Sequence, residues 1–381
     1  MVLRTFLRIP VFCRRAFSLH DKAKNVFLAR CLDRDPLPHV TLHRAGMSSQ
    51  TYGVQPFAVY HLKVRLPLSV HVSPLDPLEH PNADKFVVDV NSESDEHRVD
   101  VVVKDDEKSV EVTSTSSAEV EGKPLCHIMT PMNYDVAVQV SGAAEARVEN
   151  MECPTCVVKT EEGDCHLKSI KGMSTQVDTG GGSVYGQGTV LGNVDVSTNS
   201  EGSVKLGKLQ GQAMSVATQD GTIDIKDIYA ELSTLTSDSG DICIGSMHGT
   251  SAVETTEGNI TIDTVDGDLS ATTQTGSVTL YVSRHQLVDV TSEEGDICIS
   301  VPHELATRLE LTGKQLEIDP ELRVDNIEDS WDEELQCKTL KGLLNSGNSA
   351  DLRATAKAGK VSLKAVSWLD SLKLRNKLAI S

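Results

Sequence analysis

The amino-acid sequence predicts an all-β chain: a single right-handed parallel β-solenoid (β-helix) of ~19-residue rungs, with irregular N-terminal rungs and a C-terminal cap. Three observations carry this. Glycines recur at Gly163, Gly182, Gly202, Gly221, Gly240, Gly258, Gly276 and Gly295, in steps of 19, 20, 19, 19, 18, 18 and 19. A hydroxyl precedes each glycine, at Thr160, Thr179, Thr198, Thr218, Ser237, Thr255, Thr273 and Ser292, and two residues earlier lies Val158, Val177, Val196, Val216, Leu235, Val253, Ala271 or Val290. After each glycine the chain alternates, as in Gly221-Thr-Ile-Asp-Ile and Gly240-Asp-Ile-Cys-Ile. Period-two alternation puts Ile223/Ile225 and Ile242/Ile244 on one face of a strand and Asp224 and Cys243 on the other.

Strands this short bury no face alone. Coiling them so that equivalent strands stack about 4.8 Å apart makes continuous inward ladders of Val, Ile and Leu. A second glycine often precedes the main one by nine or ten residues, at Gly172, Gly192, Gly211, Gly249 and Gly267. Each rung is therefore expected to hold at least two strands joined by tight turns, with glycine supplying positive φ. A propeller blade needs about 40–45 residues, twice this period.

Along the chain, residues 1–32 hold seven Arg and Lys against the single acid Asp21, with Leu3, Phe6, Leu7, Val11 and Phe12 interleaved. Arg-rich, acid-poor and amphipathic is the composition of a mitochondrial transit peptide, and the arginines interrupt every candidate secretory core. Arg15-Ala16-Phe17-Ser18 suits a matrix-protease cleavage. The expected location is the mitochondrial matrix, with the cytoplasm as the alternative. Residues 33–54 are rich in Pro, His and Ser and read as a disordered linker. Residues 55–130 read as strand-rich N-terminal rungs or a cap. Residues 131–365 form the solenoid, in which 317–334, with nine acids and one Arg, read as a solvated acidic loop. Val361-Ser-Leu363 after Gly359 reads as a last rung. Residues 366–381, with Trp368, Leu369 and Leu372, read as a C-terminal cap.

The formal net charge of −19 argues against nucleic acid and anionic lipid as partners. No apolar run is long enough to predict a transmembrane helix. Nine cysteines without close regular spacing fit a reducing compartment better than a disulfide framework.

The Gly/Thr repeat resembles the β-solenoid domain family called "putative adhesin". Asn150-Met-Glu-Cys153 with Cys156, Lys208-Leu-Gln-Gly211 and Ser367-Trp-Leu-Asp-Ser-Leu-Lys-Leu374 resemble the eukaryotic family called family with sequence similarity 185. The likeness spans roughly residues 60–375. It implies the solenoid fold and no activity, because fold analogy does not establish function.

Candidate chemistry is sparse. Cys153-Pro-Thr-Cys156 has the spacing of a redox pair or of half a zinc site. The strand that follows it offers no helix N-terminus to acidify a thiol. Alternation sends Cys165 inward and His166 outward, so the two do not converge as further ligands. The expected state is a reduced, metal-free pair at a turn, with redox or metal binding as alternatives. Cys243 and Cys298 share one repeat position three rungs apart, too far for a disulfide. Outward acids (Asp224, Asp241, Asp266, Asp268 and Asp296) raise a carbohydrate-active β-helix as a second hypothesis, yet no basic or aromatic neighbour accompanies them in sequence. Gly180-Gly-Gly182 reads as turn glycines. No catalytic, cofactor-binding or metal residue is expected. The first hypothesis is a non-enzymatic interaction or scaffold protein that displays a solenoid face to a protein partner, in an oligomeric state the sequence leaves open. A thiol-dependent role for Cys153 and Cys156 is the third.

Overall fold

The structure, a computed structural model, describes residues 40–44, 47–91, 99–114, 124–333 and 336–366. Residues 1–32, expected to be a transit peptide, and all but the first residue of the expected C-terminal cap, 366–381, lie outside the described residues. No helix occurs among those described.

The N-terminal part comprises β1 (Val40–Arg44), β2 (Met47–Gly53), β3 (His61–Leu66), β4 (Ser69–Pro74), β5 (Lys85–Asn91), β6 (Val99–Lys104), β7 (Ser109–Ser114), β8 (Leu125–Thr130), β9 (Asp135–Val140) and β10 (Ala146–Glu149). The repeat array follows as β11 (Thr155–Thr160), β12 (Cys165–Thr179), β13 (Val184–Thr198), β14 (Val204–Thr218), β15 (Ile223–Ser237), β16 (Ile242–Thr255), β17 (Ile260–Thr273), β18 (Val278–Arg284), β19 (Leu287–Ser292) and β20 (Ile297–Val301). The chain then runs through β21 (Thr307–Ile318), β22 (Val324–Asp332), β23 (Cys337–Leu344) and β24 (Asp351–Ala365).

From β11 to β20 every pairing is parallel and joins equivalent positions of successive rungs. Val204, Ile223, Ile242, Ile260, Val278 and Ile297 form one inward ladder, each fully buried. Val216, Leu235, Val253, Ala271 and Val290 form a second. A third ladder, Leu209, Ile228, Met247 and Val265, lies between them and went unread in the sequence. Burying one such aliphatic side chain contributes about 1.5–3 kcal/mol, and each ladder repeats that gain rung after rung.

The main glycine column has a different cause from the one expected. None of Gly163, Gly182, Gly202, Gly221, Gly240, Gly258, Gly276 and Gly295 has a positive φ. A Cβ on Gly221 would lie 1.9 Å from the carbonyl oxygen of Gly202, one on Gly240 2.0 Å from that of Gly221, and one on Gly295 1.8 Å from that of Gly276. Glycine is required because each rung's backbone rests on the backbone of the rung before it. The hydroxyls serve the same contact. Thr179, Thr198 and Thr218 donate to the carbonyls of Gly182, Gly202 and Gly221 at 2.6, 2.7 and 2.8 Å. Thr273 and Ser292 donate to Gly258 and Gly276 at 3.0 and 2.8 Å. A buried carbonyl without such a donor would be costly.

Both ends depart from sequential stacking. β9 and β10 pair with β11 and β12 on one side and with β3 and β4 on the other, and β7 and β8 lie outside β3 and β4. At the far end β24 pairs with β19 and β20 and separates them from β21. The Val361 rung is thus a true rung but not the outermost one. Gly359 continues the glycine column, its absent Cβ 2.2 Å from the carbonyl oxygen of Gly295. Antiparallel strands close the ends, β6 on β7, β5 on β8, β2 on β5 and β1 on β2 at one, β23 on β21 and β22 on β23 at the other. Two expectations are corrected here. The linker assigned to 33–54 contains β1 and β2, because Met47–Gly53 completes the edge of β5. The acidic loop assigned to 317–334 contains β22, a mostly exposed strand whose Asp329 is neutralised by Lys338 of β23 at 2.8 Å.

Among the described residues the fully buried rings, Tyr60, Phe86 and Tyr134, lie in the N-terminal part. Tyr60 stacks on Tyr134 and Tyr52 on Phe86, with centroids 5.3 and 5.0 Å apart, filling a core the narrow repeat does not need to fill. Outside them, His71 and His127 of neighbouring strands stack at 4.4 Å. Desolvation pulls both imidazole pKa values down, and for His71 the His127 ring adds to it, while Glu149 and, for His127, Asp89 oppose.

Two outcomes follow for stability. Gly240→Ala is expected to cost about 1–3 kcal/mol through overpacking against backbone, whereas Gly181→Ala, whose Cβ would meet nothing nearer than 4.0 Å, leaves the denaturation midpoint unchanged. Equal shifts in urea unfolding would contradict the backbone-contact role. For the histidine pair, the folded pKa lies below the ordinary value of 6.5, so the unfolded chain binds more protons. Stability is full above that value and falls as pH drops through it toward the lower folded pKa. Calorimetry should show Tm falling as pH drops through 6.5, with a smaller fall in the His71→Gln, His127→Gln variant.

Candidate functional site

The outward acids come first because the carbohydrate hypothesis rests on them. Asp224 pairs with Lys205 at 3.0 Å. Asp266 takes a bidentate contact from Arg284, at 2.9 and 2.5 Å, and holds Nδ1 of His248 at 3.2 Å. Asp241 accepts from the backbone N–H of Asn259 at 2.7 Å. Asp268 accepts from those of Gln286 and Leu287 at 2.8 and 2.9 Å, and Asp296 from that of Lys360 at 2.8 Å. Each bond joins one rung to the next. Basic neighbours therefore do accompany Asp224 and Asp266, one rung away, contrary to the sequence reading. The acids act as clamps between rungs, whereas glycoside chemistry needs two carboxyls facing one bond across an open cleft.

Aromatic platforms, also missed in the sequence, arise the same way. His166 stacks on Tyr185 at 5.2 Å and Tyr229 on His248 at 4.3 Å, each pair from successive rungs. Lys208 lies over the Tyr229 ring at 4.5 Å. A spacing of one rung was the available signal. Tyr229 belongs to an outward row of Lys171, Leu191, Gln210, Tyr229, His248, Asp266 and Arg284, one residue per rung. Leu191 and Tyr229, two rungs apart in this row, are 38% and 39% exposed, large apolar side chains in water.

The thiols are arranged differently from expectation. Cys153 and Cys156 both turn inward, 1% and 0% exposed. Their side chains hydrogen-bond to each other, which lowers the Cys153 pKa and, together with burial, raises that of Cys156. The sequence reading had neither contact nor acidification here. It missed them because the turn Pro154-Thr155 brings the residue before the strand to the same interior as the strand's second residue. Cys165 is inward and His166 outward, as alternation requires, and burial raises the Cys165 pKa strongly. Among the described residues no three His, Cys, Asp or Glu side chains converge on a metal-sized site. Cys243 is exposed and Cys298 partly so, three rungs apart in register.

Residues 187–332 match the family described as Toastrack DUF4097. A solved structure described as a putative adhesin from Parabacteroides merdae is similar at 12% identity, with 84% of this chain and 97% of that one covered and a TM-score of 0.38. Others described as putative adhesins come from Bacteroides fragilis (15% identity, 67% and 96% covered, TM-score 0.35) and Parabacteroides distasonis (16%, 83% and 96%, TM-score 0.35). Residues 187–332 are thus similar to the Toastrack family, within an all-β, largely parallel stack of described strands.

Proposed function

We propose that the chain is a non-enzymatic interaction or scaffold protein, and that the row through Leu191, Gln210, Tyr229 and His248 is the face it presents to a protein partner. The observation that carries this is the exposure of Leu191 and Tyr229 in one row, beside the stacked His248. Protein contacts favour large amphipathic rings such as tyrosine over charged side chains. The carbohydrate-enzyme reading loses its support, because the acids it needs are held between rungs. No helix among the described residues is long and apolar enough to cross a membrane. The same reading takes the chain as right-handed in its coil and as a member of the family with sequence similarity 185. Its site of action is the mitochondrial matrix, on the strength of the arginine pattern of residues 1–32.

Two experiments test the proposal. A photo-crosslinking residue placed at Gln210 in intact mitochondria should capture a defined protein, and Tyr229→Asp should abolish that capture. The same residue placed at Thr236, on the neighbouring face, should capture nothing. Equal capture from both faces would refute the assignment. For the address, changing Arg4, Arg8, Arg14 and Arg15 to Gln should leave the protein in the cytosol, and the mature native protein should begin at Ser18 or shortly after. An intact Met1 in the mature protein would refute import by cleavage.

A further inference from the structure

Of the strands that close the C-terminal end, β22 is the outermost. Among the described residues it pairs only with β23, with Glu328 opposite Lys341 at one end of the regular stretch and Asp332 opposite Cys337 at the other, so its second edge is open. In an antiparallel edge strand alternate residues turn their N–H and C=O groups away from the neighbouring strand, into water. Both faces of β22 are in water as well: every residue from Asn326 to Asp332 is exposed, Ile327 at 55% and Trp331 at 59%. A strand is ordinarily held by burying one face, and an open edge is ordinarily blunted by Lys, Pro or a bulge. β22 has neither Lys nor Pro, and its bulge, between Asp325 and Glu328, leaves the stretch to Asp332 regular. Its one guard is acidic charge, which is selective about what it repels.

We infer that the open edge of β22 binds an extended segment of a partner protein in which Lys or Arg alternates with aliphatic residues, added as one more strand. The unpaired ladder supplies the main-chain hydrogen bonds, and the side chains choose the partner. By alternation Glu328, Ser330 and Asp332 line one face of the strand, and Asp329 and Trp331 the other. Lys341, opposite Glu328, is itself engaged by Glu310 at 2.9 Å, and residues 317–334 hold nine acids against one Arg. An incoming Lys or Arg beside Glu328 or Asp332 therefore meets opposite charge, while an aliphatic side chain at the next position covers Trp331. The same acids turn away a second copy of this chain. Two β22 strands paired antiparallel about Ser330 would set Glu328 directly against Asp332, and like charges so placed are destabilising. The edge shares no strand with the row through Leu191 and Tyr229, so the two assignments stand or fall separately.

The test uses the folded full-length chain and a synthetic peptide of alternating Val and Lys, about as long as β22. The same peptide N-methylated throughout keeps its charges and side chains but has no backbone N–H to donate. The first peptide should bind in isothermal titration and slow hydrogen exchange at the outward amides of residues 328–332, and the methylated one should do neither. Trp331→Ser and Glu328→Lys should each weaken binding severalfold with unchanged thermal melts, because both side chains are exposed. Glu257→Lys, which changes an exposed acid between β16 and β17, should leave binding as it is. Equal affinity for the two peptides, or an equal loss in Glu257→Lys, would overturn the inference by reducing the contact to net charge. Outward amides already protected without peptide would overturn it too. Protection lost on dilution would then name a second copy as the occupant, and protection lost on changing Lys373, Arg375 and Lys377 to Gln would name residues 367–381 of the same chain.

Discussion

Each rung of this stack comes so close to the next at the glycine column that no Cβ fits between them. That contact sets the rung spacing, and much of the rest follows from it. With backbone resting on backbone, the glycine carbonyls are shut away from water, so the buried Thr and Ser column must supply donors. With the rungs held in register, every side chain has an equivalent directly above and below it. Inward, this makes aliphatic ladders that need little ring volume. Outward, it makes pairs: Lys205 with Asp224, Arg284 with Asp266, and Tyr229 with His248.

The same constraint ties outward carboxylates to the next rung: Asp224 meets Lys205 and Asp266 meets Arg284. Lone polar groups are consumed by backbone N–H groups of the next rung, as Asp241 and Asp296 show. What such pairs do not bury are large side chains such as Leu191 and Tyr229, which stay exposed and favour a protein contact. At the Cys153 turn two thiols, Cys153 and Cys156, are buried in the interior.

The repeat was legible because its signals keep one period. Val216, Leu235 and Val253 announce a ladder, and Gly221 with Gly240 announce the corner, although the reason for those glycines was visible only in the backbone contacts. The ends were not legible for the complementary reason. Antiparallel closure by β2, β5 and β22 leaves no period, and polar edge strands such as β22 look like loops by composition. The placement of β24 between β20 and β21 joins residues that lie 64 apart, as with Lys360 and Asp296, a distance no local pattern encodes. The thiol contact was missed because strand alternation says nothing about a residue outside the strand. The stacked His71 and His127 were missed because their separation of 56 residues matches no repeat.

The order of rungs at the C-terminal end is where the governing contact makes its least obvious demand, since the glycine column passes from Gly295 directly to Gly359. In register, Asp289 lies beside Arg353, and Arg353 beside Glu310. A short thiol crosslinker applied to the Asp289→Cys, Arg353→Cys variant should join the two positions. The Asp289→Cys, Glu310→Cys variant should give no link, because its sulfurs are two rungs, about 10 Å, apart. A link in the second variant and none in the first would mean that the rungs stack in chain order, and the backbone contact would then not be what arranges this protein.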